Sequence, residues 1–276
     1  MSSGQIVLGI PRELTPGERR VAVIPSTCAK YVKWGMRVLV EASAGDGAFF
    51  TDDDYRVAGA EIVADVESLF SQANVILKVK EPQPNAAKGK HEIEMMKQGA
   101  TLICFIHPAS PLNHEMVRRI AARGITALTM DSIPRITRAQ KMDALTAMST
   151  VAGYKSVVMA ADRFSKFIPM TMTAVGTIQP AKVLVIGTGI VGLQAIATAR
   201  RLGGVVSAVD IRPDAREQAA SLGAKVGGFE APADLALGKG GYARALPEDW
   251  LVKERAAIAP LVMDSDIVIT AALVLG

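Results

Sequence analysis

The chain is predicted to fold as α/β, in two Rossmann-like doubly wound parallel-sheet units, and three observations carry that prediction. Half of the residues are hydrophobic while only 5% are aromatic. The apolar stock is mainly Ala, Val, Ile and Gly, which suits parallel strands buried under helices better than an antiparallel sandwich. Short β-branched runs alternate with helix-length stretches from Ile6 onward, the pattern of βα winding. Finally, 276 residues exceed the usual size of one compact core, so two units are expected.

Taken in order, IVLGI is a strand, Ser26 to Gly35 a helix, RVLVEA a strand and the Asp-rich TDDDYRVAGA a helix start. NVILKV and TLICFI follow as strands, Leu112 to Arg123 as a helix and ITALTM as a strand. EPQPNAAKGK, at 81–90, is the only linker-like stretch of this half and reads as a surface loop. The helical spacing of Met142, Leu145, Met148, Ala152, Val157 and Ala161 predicts one long helix leading into the second unit. There KVLVIGTGIVG opens a strand and a helix that runs to Leu202; VVSAVD is a strand, Asp214 to Leu222 a helix and DIVITAALVLG a final strand. The first domain is placed at 1–146 and the second at 147–276. About four strands are counted after Lys182, against about six in a complete doubly wound nucleotide domain, so the second unit is expected to be incomplete at its C-terminus.

Charge and composition narrow the function. The net charge of +4 is spread by interleaved acids and bases with no run of one sign, so nucleic acid is not an expected partner. Cys28 and Cys104 lie far apart without CxxC spacing, which predicts reduced core thiols and a cytosolic setting, and no metal site is expected. The apolar run from Val183 is broken by Gly187, Gly189, Gly192 and Gln194, and MSSGQIVLG lacks a leader pattern, so neither membrane insertion nor export is expected.

VLVIGTGIVG carries Gly187, Gly189 and Gly192 in GxGxxG spacing, directly after an apolar strand and at the start of an apolar helix. Such a motif needs its first glycine for the tight turn, its second for backbone approach to a pyrophosphate and its third for helix–strand contact. Asp210 ends the next strand, eighteen residues past Gly192. A carboxylate there can accept both adenosine ribose hydroxyls and repel a 2′-phosphate, which predicts NAD(H) over NADP(H). The bland alternative makes Asp210 the N-cap of the following helix. Arg212, just past the acid, is of a type sometimes recruited to a 2′-phosphate and is read as flanking the adenosine.

IPRITRAQKMDALTAM, at 133–148, crowds Arg135, Arg138, Gln140, Lys141, Asp143 and Thr146 at the start of the long helix. Thr137 and Gln140 fit a capping box. Asp143 and Thr146 continue at three-residue steps as a polar strip, which a solvated helix face would also explain.

IPRITRAQKMDALT followed by VAGYKSVVMAA resembles the loop and helix of the NAD(H)-binding first component of proton-translocating nicotinamide nucleotide transhydrogenase. The resemblance runs over essentially the whole chain, through GIPRELTPGERRVAVIP, FIPMTMTAVGTIQPAKVLVIGTGIVGLQAIATARRLG, GGYARAL and DIVITAAL. It implies that Arg135, Gln140 and Asp143 hold the dihydronicotinamide end of NADH, with Thr146 where the family has a serine, a change that keeps the hydroxyl and adds χ1 stiffness. It further implies nucleotide contacts at Lys141, Met142, Gly187, Gly189, Ile190, Gly192, Asp210, Ile211 and Arg212, and a closing loop at Gly241 and Tyr242. The implied reaction is hydride transfer from NADH to NADP+ held on a partner component, coupled to proton translocation. The implied partners are membrane-spanning and NADP(H)-binding components, with the chain a homodimer on the cytosolic face of the inner membrane.

A sister family, alanine dehydrogenase, offers the alternative. Arg20 in GERRVAVIP, Lys80 in LKVKEP and His107 in CFIHPAS stand where that family binds a small oxo acid and moves a proton. Against it stands the Arg–Gln–Asp loop. Remnant polar lining at strand ends explains Lys80 and His107, and His91 and His114 are expected at the surface. A non-enzyme reading is a fragment that binds NADH poorly or not at all.

Overall fold

The computed structural model describes residues 5–134, 136–236 and 245–272, with the side chains of positions 233 and 234 excepted. Backbone contacts divide the chain into two compact units, Met1–Pro134 and Arg135–Gly276.

The first unit holds β1 (Val7–Ile10), α1 (Pro25–Lys33), β2 (Arg37–Glu41), α2 (Asp52–Val57), β3 (Glu61–Val63), α3 (Val66–Gln72) and β4 (Val75–Leu77). It continues with β5 (Pro84–Asn85), β6 (Lys90–His91), α4 (Glu92–Met95), β7 (Thr101–Cys104), α5 (His114–Ala122) and β8 (Thr126–Thr129). Six strands form one parallel sheet in the order β3-β2-β1-β4-β7-β8. Side chains alternate across it: Val38 and Val40 join Leu8, Ile10, Cys28 and Tyr55 on one face, while Leu39 joins Leu69, Phe70, Ile93 and Ile120 on the other. A sheet covered on both faces calls for apolar residues at successive positions, which is why VLV of β2 and LIC of β7 read as continuous rather than alternating runs. The Asp-rich stretch starts α2 through a capping box, Asp54 accepting the Thr51 N–H at 2.7 Å while the Thr51 hydroxyl accepts the Asp54 N–H at 3.2 Å.

The segment 81–90 is not the plain loop the sequence predicts. Pro84–Asn85 and Lys90–His91 pair as an antiparallel ribbon, and His91 caps α4 with its Nδ1 accepting the Ile93 N–H. The ribbon forms because Asn85 also accepts the Lys88 N–H and closes the turn, a side-chain contact that composition alone does not report. Both cysteines are free and buried.

The second unit holds α6 (Ala144–Arg163), the antiparallel hairpin β9 (Thr171–Thr173) and β10 (Gly176–Ile178), β11 (Lys182–Ile186), α7 (Ile190–Arg201), β12 (Val205–Val209) and α8 (Pro213–Ser221). It ends with β13 (Lys225–Val226), α9 (Ala233–Ala236), α10 (Glu248–Met263) and β14 (Ile267–Thr270). Its sheet is parallel, in the order β13-β12-β11-β14. Val183, Val185, Val206, Ala208 and Ile269 pack on one face with Val157 of α6 and Ala195, Ile196 and Ala199 of α7. The hairpin was not legible as strands, because TMTAVGTI exposes most of its residues and carries no buried face. Among the described residues no helix is long and apolar enough to cross a membrane, and no cluster of His, Cys, Asp or Glu has the makings of a metal site.

The long helix is present, but its cap differs from the expected Thr137–Gln140 box. Gln140–Met142 make a single 3-10 turn on the buried Ala139, and α6 starts two residues later. Asp143 is the cap: its carboxylate accepts the Thr146 N–H at 2.9 Å and the Thr146 hydroxyl as well. An aspartate with a hydroxyl three residues on satisfies a helix-start donor and the hydroxyl together, which Thr137 has no helical turn to do.

Candidate functional site

In both sheets the strand order reverses beside the first strand, and an open parallel sheet binds ligands at the carboxyl ends of the strands that flank such a reversal. In the second unit that point lies between β11 and β14. A cleft of about 580 Å³ opens there, lined by Ile186 to Val191 from the end of β11, Val209 to Arg212 from the end of β12, and Ala271 and Ala272 after β14. Leu145 and Ser149 of α6 and Leu251 and Glu254 of α10 complete its walls.

The three glycines play three different parts. Gly187 turns the chain with φ +87°, and a side chain there would meet the Ala272 backbone nitrogen at 2.6 Å. A Cβ on Gly192 would run into the Gly187 carbonyl oxygen, so the start of α7 can lie against the turn only as glycine. At Gly189 the space is open among the described residues, of which only the Arg212 Nη2 comes within reach, at 4.0 Å. Gly189 is also the N-cap of α7, so the first-turn N–H groups, which lack intrahelical acceptors, stand beside that open space.

Asp210 lies at the next strand end, buried, and it is not the N-cap of α8, a position that Arg212 occupies without a side-chain cap bond. Its carboxylate is held by five donors. Oδ2 accepts the Thr188 N–H at 2.7 Å, the Thr188 hydroxyl at 3.2 Å and Arg212 Nη2 at 3.0 Å. Oδ1 accepts the Arg212 N–H at 2.9 Å and Arg212 Nε at 3.1 Å. Burial works against the charge, but the Arg212 side chain and the N–H groups of Arg212 and Thr188 outweigh it and hold the carboxyl below its ordinary value. Across the cleft, burial pushes the Glu254 carboxyl up, with Asp210 adding to the rise and Arg255 opposing it.

Of the residues expected from the sequence, Gly187, Gly189, Ile190, Asp210, Ile211 and Arg212 line this cleft, and Gly192 stands behind it. Gln140, Lys141 and Met142 are exposed, and Asp143 and Thr146 are bonded to each other at the helix start; none of the five is in the cleft wall, although Leu145 and Ser149 of the same segment are. Arg135, Gly241 and Tyr242 lie outside the described residues. Sequence reasoning missed Thr188 and Glu254. Thr188 sits inside the motif, where only its hydroxyl marks it out, and Glu254 comes from a helix whose approach no local pattern announces.

The three residues of the alternative reading are each engaged by a neighbouring acid. Arg20 Nε bonds Glu18 at 2.7 Å, Lys80 Nζ is 3.7 Å from Glu81, and His107 Nδ1 pairs with Asp131.

Two family descriptions match the chain in tandem: the alanine dehydrogenase/PNT N-terminal domain over residues 9–152 and the alanine dehydrogenase/PNT C-terminal domain over residues 156–276. The chain is 44% identical over 270 residues to an NAD(P) transhydrogenase alpha subunit of Rhodospirillum rubrum, spanning 98% of this chain and 70% of that one. It is 40% identical to NAD(P) transhydrogenase subunit alpha of Cereibacter sphaeroides, spanning 98% of this chain and 50% of that one. The crystal structure of transhydrogenase from Sinorhizobium meliloti superposes with a TM-score of 0.80 at 41% identity, covering 96% of this chain and 69% of the other. The open glycine turn and the buried strand-end acid are the parts of an NAD-binding Rossmann-like unit, and with these likenesses the chain belongs to the alanine dehydrogenase/PNT family, among the transhydrogenase alpha subunits.

Proposed function

We propose that this chain is the NAD(H)-binding component of a proton-translocating transhydrogenase, holding NADH for direct hydride transfer to NADP+ bound on a partner component. The observation that carries this reading is the cleft at the β11–β14 reversal, where Gly189 leaves the first turn of α7 open and Asp210 waits at the next strand end. A dinucleotide suits that order of groups: backbone amides for a pyrophosphate, a carboxylate for a ribose, and Ile211 and Leu246 as apolar wall for a base.

When bound, the dihydronicotinamide would supply the hydride; the chain's own residues supply position. Gly187, Gly189, Ile190 and Gly192 would seat the phosphates, and Asp210, Ile211 and Arg212 the adenosine. Arg135, Gln140, Asp143 and Thr146 would hold the reacting end, flanked by Lys141 and Met142, with Gly241 and Tyr242 closing over the nucleotide. The Asp143–Thr146 bond favours this role for the loop, since it fixes the helix start that follows directly on the turn carrying Gln140. Hydride transfer asks for no proton relay, and no histidine is among the cleft residues described. The component is proposed to work as a homodimer, peripheral to the inner membrane through partner subunits that couple the transfer to proton movement.

Fluorescence titration with NADH and, in parallel, NADPH tests the reading. Tight NADH and weak NADPH binding are expected, followed by transfer to NADP+ when an NADP-binding component is added. The pair Gln140→Asn and Asp143→Asn should slow transfer far more than it weakens NADH binding, because asparagine still caps α6. Equal losses in both would remove these residues from the reacting end. Reduction of NAD+ by alanine without any partner would instead establish the dehydrogenase alternative.

A further inference from the structure

Phe49 is the most exposed aromatic side chain among the described residues, at 83%. Its backbone is also left-handed, with φ +64°, a region that bulky side chains avoid unless the surrounding chain imposes it. A ring that gains nothing from burial is thus held outward in a strained conformation.

What holds it is the loop between β2 and α2. The Ser43 N–H donates to Asp52 at 2.8 Å, and the Thr51–Asp54 cap fixes the far end. Within the loop a Cβ on Gly45 would meet the Phe50 carbonyl oxygen at 2.6 Å, and one on Gly47 the Arg19 carbonyl oxygen at 2.8 Å. The loop therefore lies directly on the segment that follows β1. Arg19 of that segment reaches back over it: its Cζ is 5.2 Å from the centroid of the Phe49 ring, and its Nε donates to the Gly47 carbonyl at 3.2 Å. Because β1 and β2 are parallel neighbours, both loops leave the carboxyl edge of the first sheet.

This pair has bonding capacity to spare. Arg19 is exposed, and among the described residues it makes no ion pair and its terminal nitrogens meet no acceptor. A guanidinium held flat against a ring with both terminal nitrogens unused fits a carboxylate two-pronged. The ring beside it is an anchor whose ordering was completed on folding, so binding has little left to order. We propose that Phe49 and Arg19 form a rigid docking knob for a partner protein that presents a carboxylate beside an apolar slot, and that this partner is the NADP(H)-binding component. The inference rests on the proposed function and gives it a contact surface.

Calorimetric titration of the whole chain with the NADP-binding component, alongside NADH titration and denaturant unfolding, tests it. Phe49→Gly should weaken association about ten- to a hundredfold, the range of an anchor residue. It should leave the unfolding midpoint unchanged or higher, because glycine takes φ +64° without strain. Phe49→Tyr, which keeps the ring, should stay within about threefold of the wild type. Arg19→Ala should weaken association about tenfold and flatten its salt dependence, and Arg19→Glu should weaken it further. NADH affinity should be unchanged in all four. Association at wild-type strength in Phe49→Gly or Arg19→Glu overturns the proposal, as does weakening that merely follows a lowered unfolding midpoint. Loss of self-association at unchanged affinity for the component overturns it in favour of a second copy of this chain. A wild type that binds NADH but not the component overturns it and leaves the nucleotide site standing; one that binds neither removes the proposed function as well.

Discussion

The two units place very different chemistry at the same topological point. Both sheets run in the order third, second, first, fourth from one edge, and in both the order reverses beside the first strand. In the second unit the strands there lead into Gly187 and Ala271, and a cleft opens. In the first unit β1 and β4 lead into Glu13 and Lys78. Lys78 Nζ lies 3.4 Å from Glu13 and 3.0 Å from Glu92, with side-chain exposures of 0%, 3% and 1% respectively. Glu13 also accepts the N–H of Val79 at 2.6 Å, and Glu92 that of Gln83 at 2.7 Å. The first unit thus fills its reversal point with a closed network of charges, while the second leaves the same place open around Asp210. Topology offers a ligand site, and the side chains at the strand ends decide whether it is used.

The largest effect is expected from breaking the closed network. Lys78→Met leaves two buried carboxylates without their cation and should cost about 3–5 kcal/mol, the usual result of removing one partner of a buried pair. Denaturant unfolding measures this, and NADH affinity of the folded fraction should stay within about twofold. A loss of affinity without loss of stability would mean that the network serves the nucleotide and that the contrast between the units is wrong.

A smaller effect belongs to the wall of the open cleft. Gly153 lets α6 approach α7 so closely that a Cβ there would strike the Val191 carbonyl oxygen and lie 2.9 Å from the Gln194 Cβ. Gly153→Ala gains about 1 kcal/mol of helix propensity but incurs about 1–3 kcal/mol of overpacking, so a net loss is expected. Because Val191 is in the first turn of α7 and lines the cleft, NADH binding should weaken as well. Unchanged binding would show that the helix start holds its place without α6.

The smallest effect is a pair of opposite pH slopes. Burial pushes the Glu92 carboxyl above its ordinary value against the pull of Lys78, so its contribution is full below the ordinary carboxylate range and is lost as pH rises through the folded value. Asp210 is held below its ordinary value despite burial, chiefly by the Arg212 side chain. Its contribution is full above that ordinary value and is lost as pH falls. Relative to Glu92→Gln, the wild type should lose stability as pH rises; relative to Asp210→Asn, it should lose stability as pH falls. Denaturant midpoints between about pH 3 and pH 7 report both, and slopes of the same sign would erase this difference between the units.

The sequence by itself determined the alternation of strands and helices, the GxGxxG turn and the acid after it, because each is written within about ten neighbouring residues and rests on local period or on backbone room. Glycine at 187 and 192 is demanded by a turn and a close approach that occur wherever a strand feeds a helix at this angle. Tertiary structure alone decided what Asp210 holds, that Asp143 and not Thr137 caps the long helix, and that Glu254 looks into the cleft. The plug of Glu13, Lys78 and Glu92 joins residues from three separate stretches, and no window of sequence reports that meeting. Polar side chains carry several donors or acceptors and take whichever partner the returning chain presents; burial then makes that one pairing compulsory.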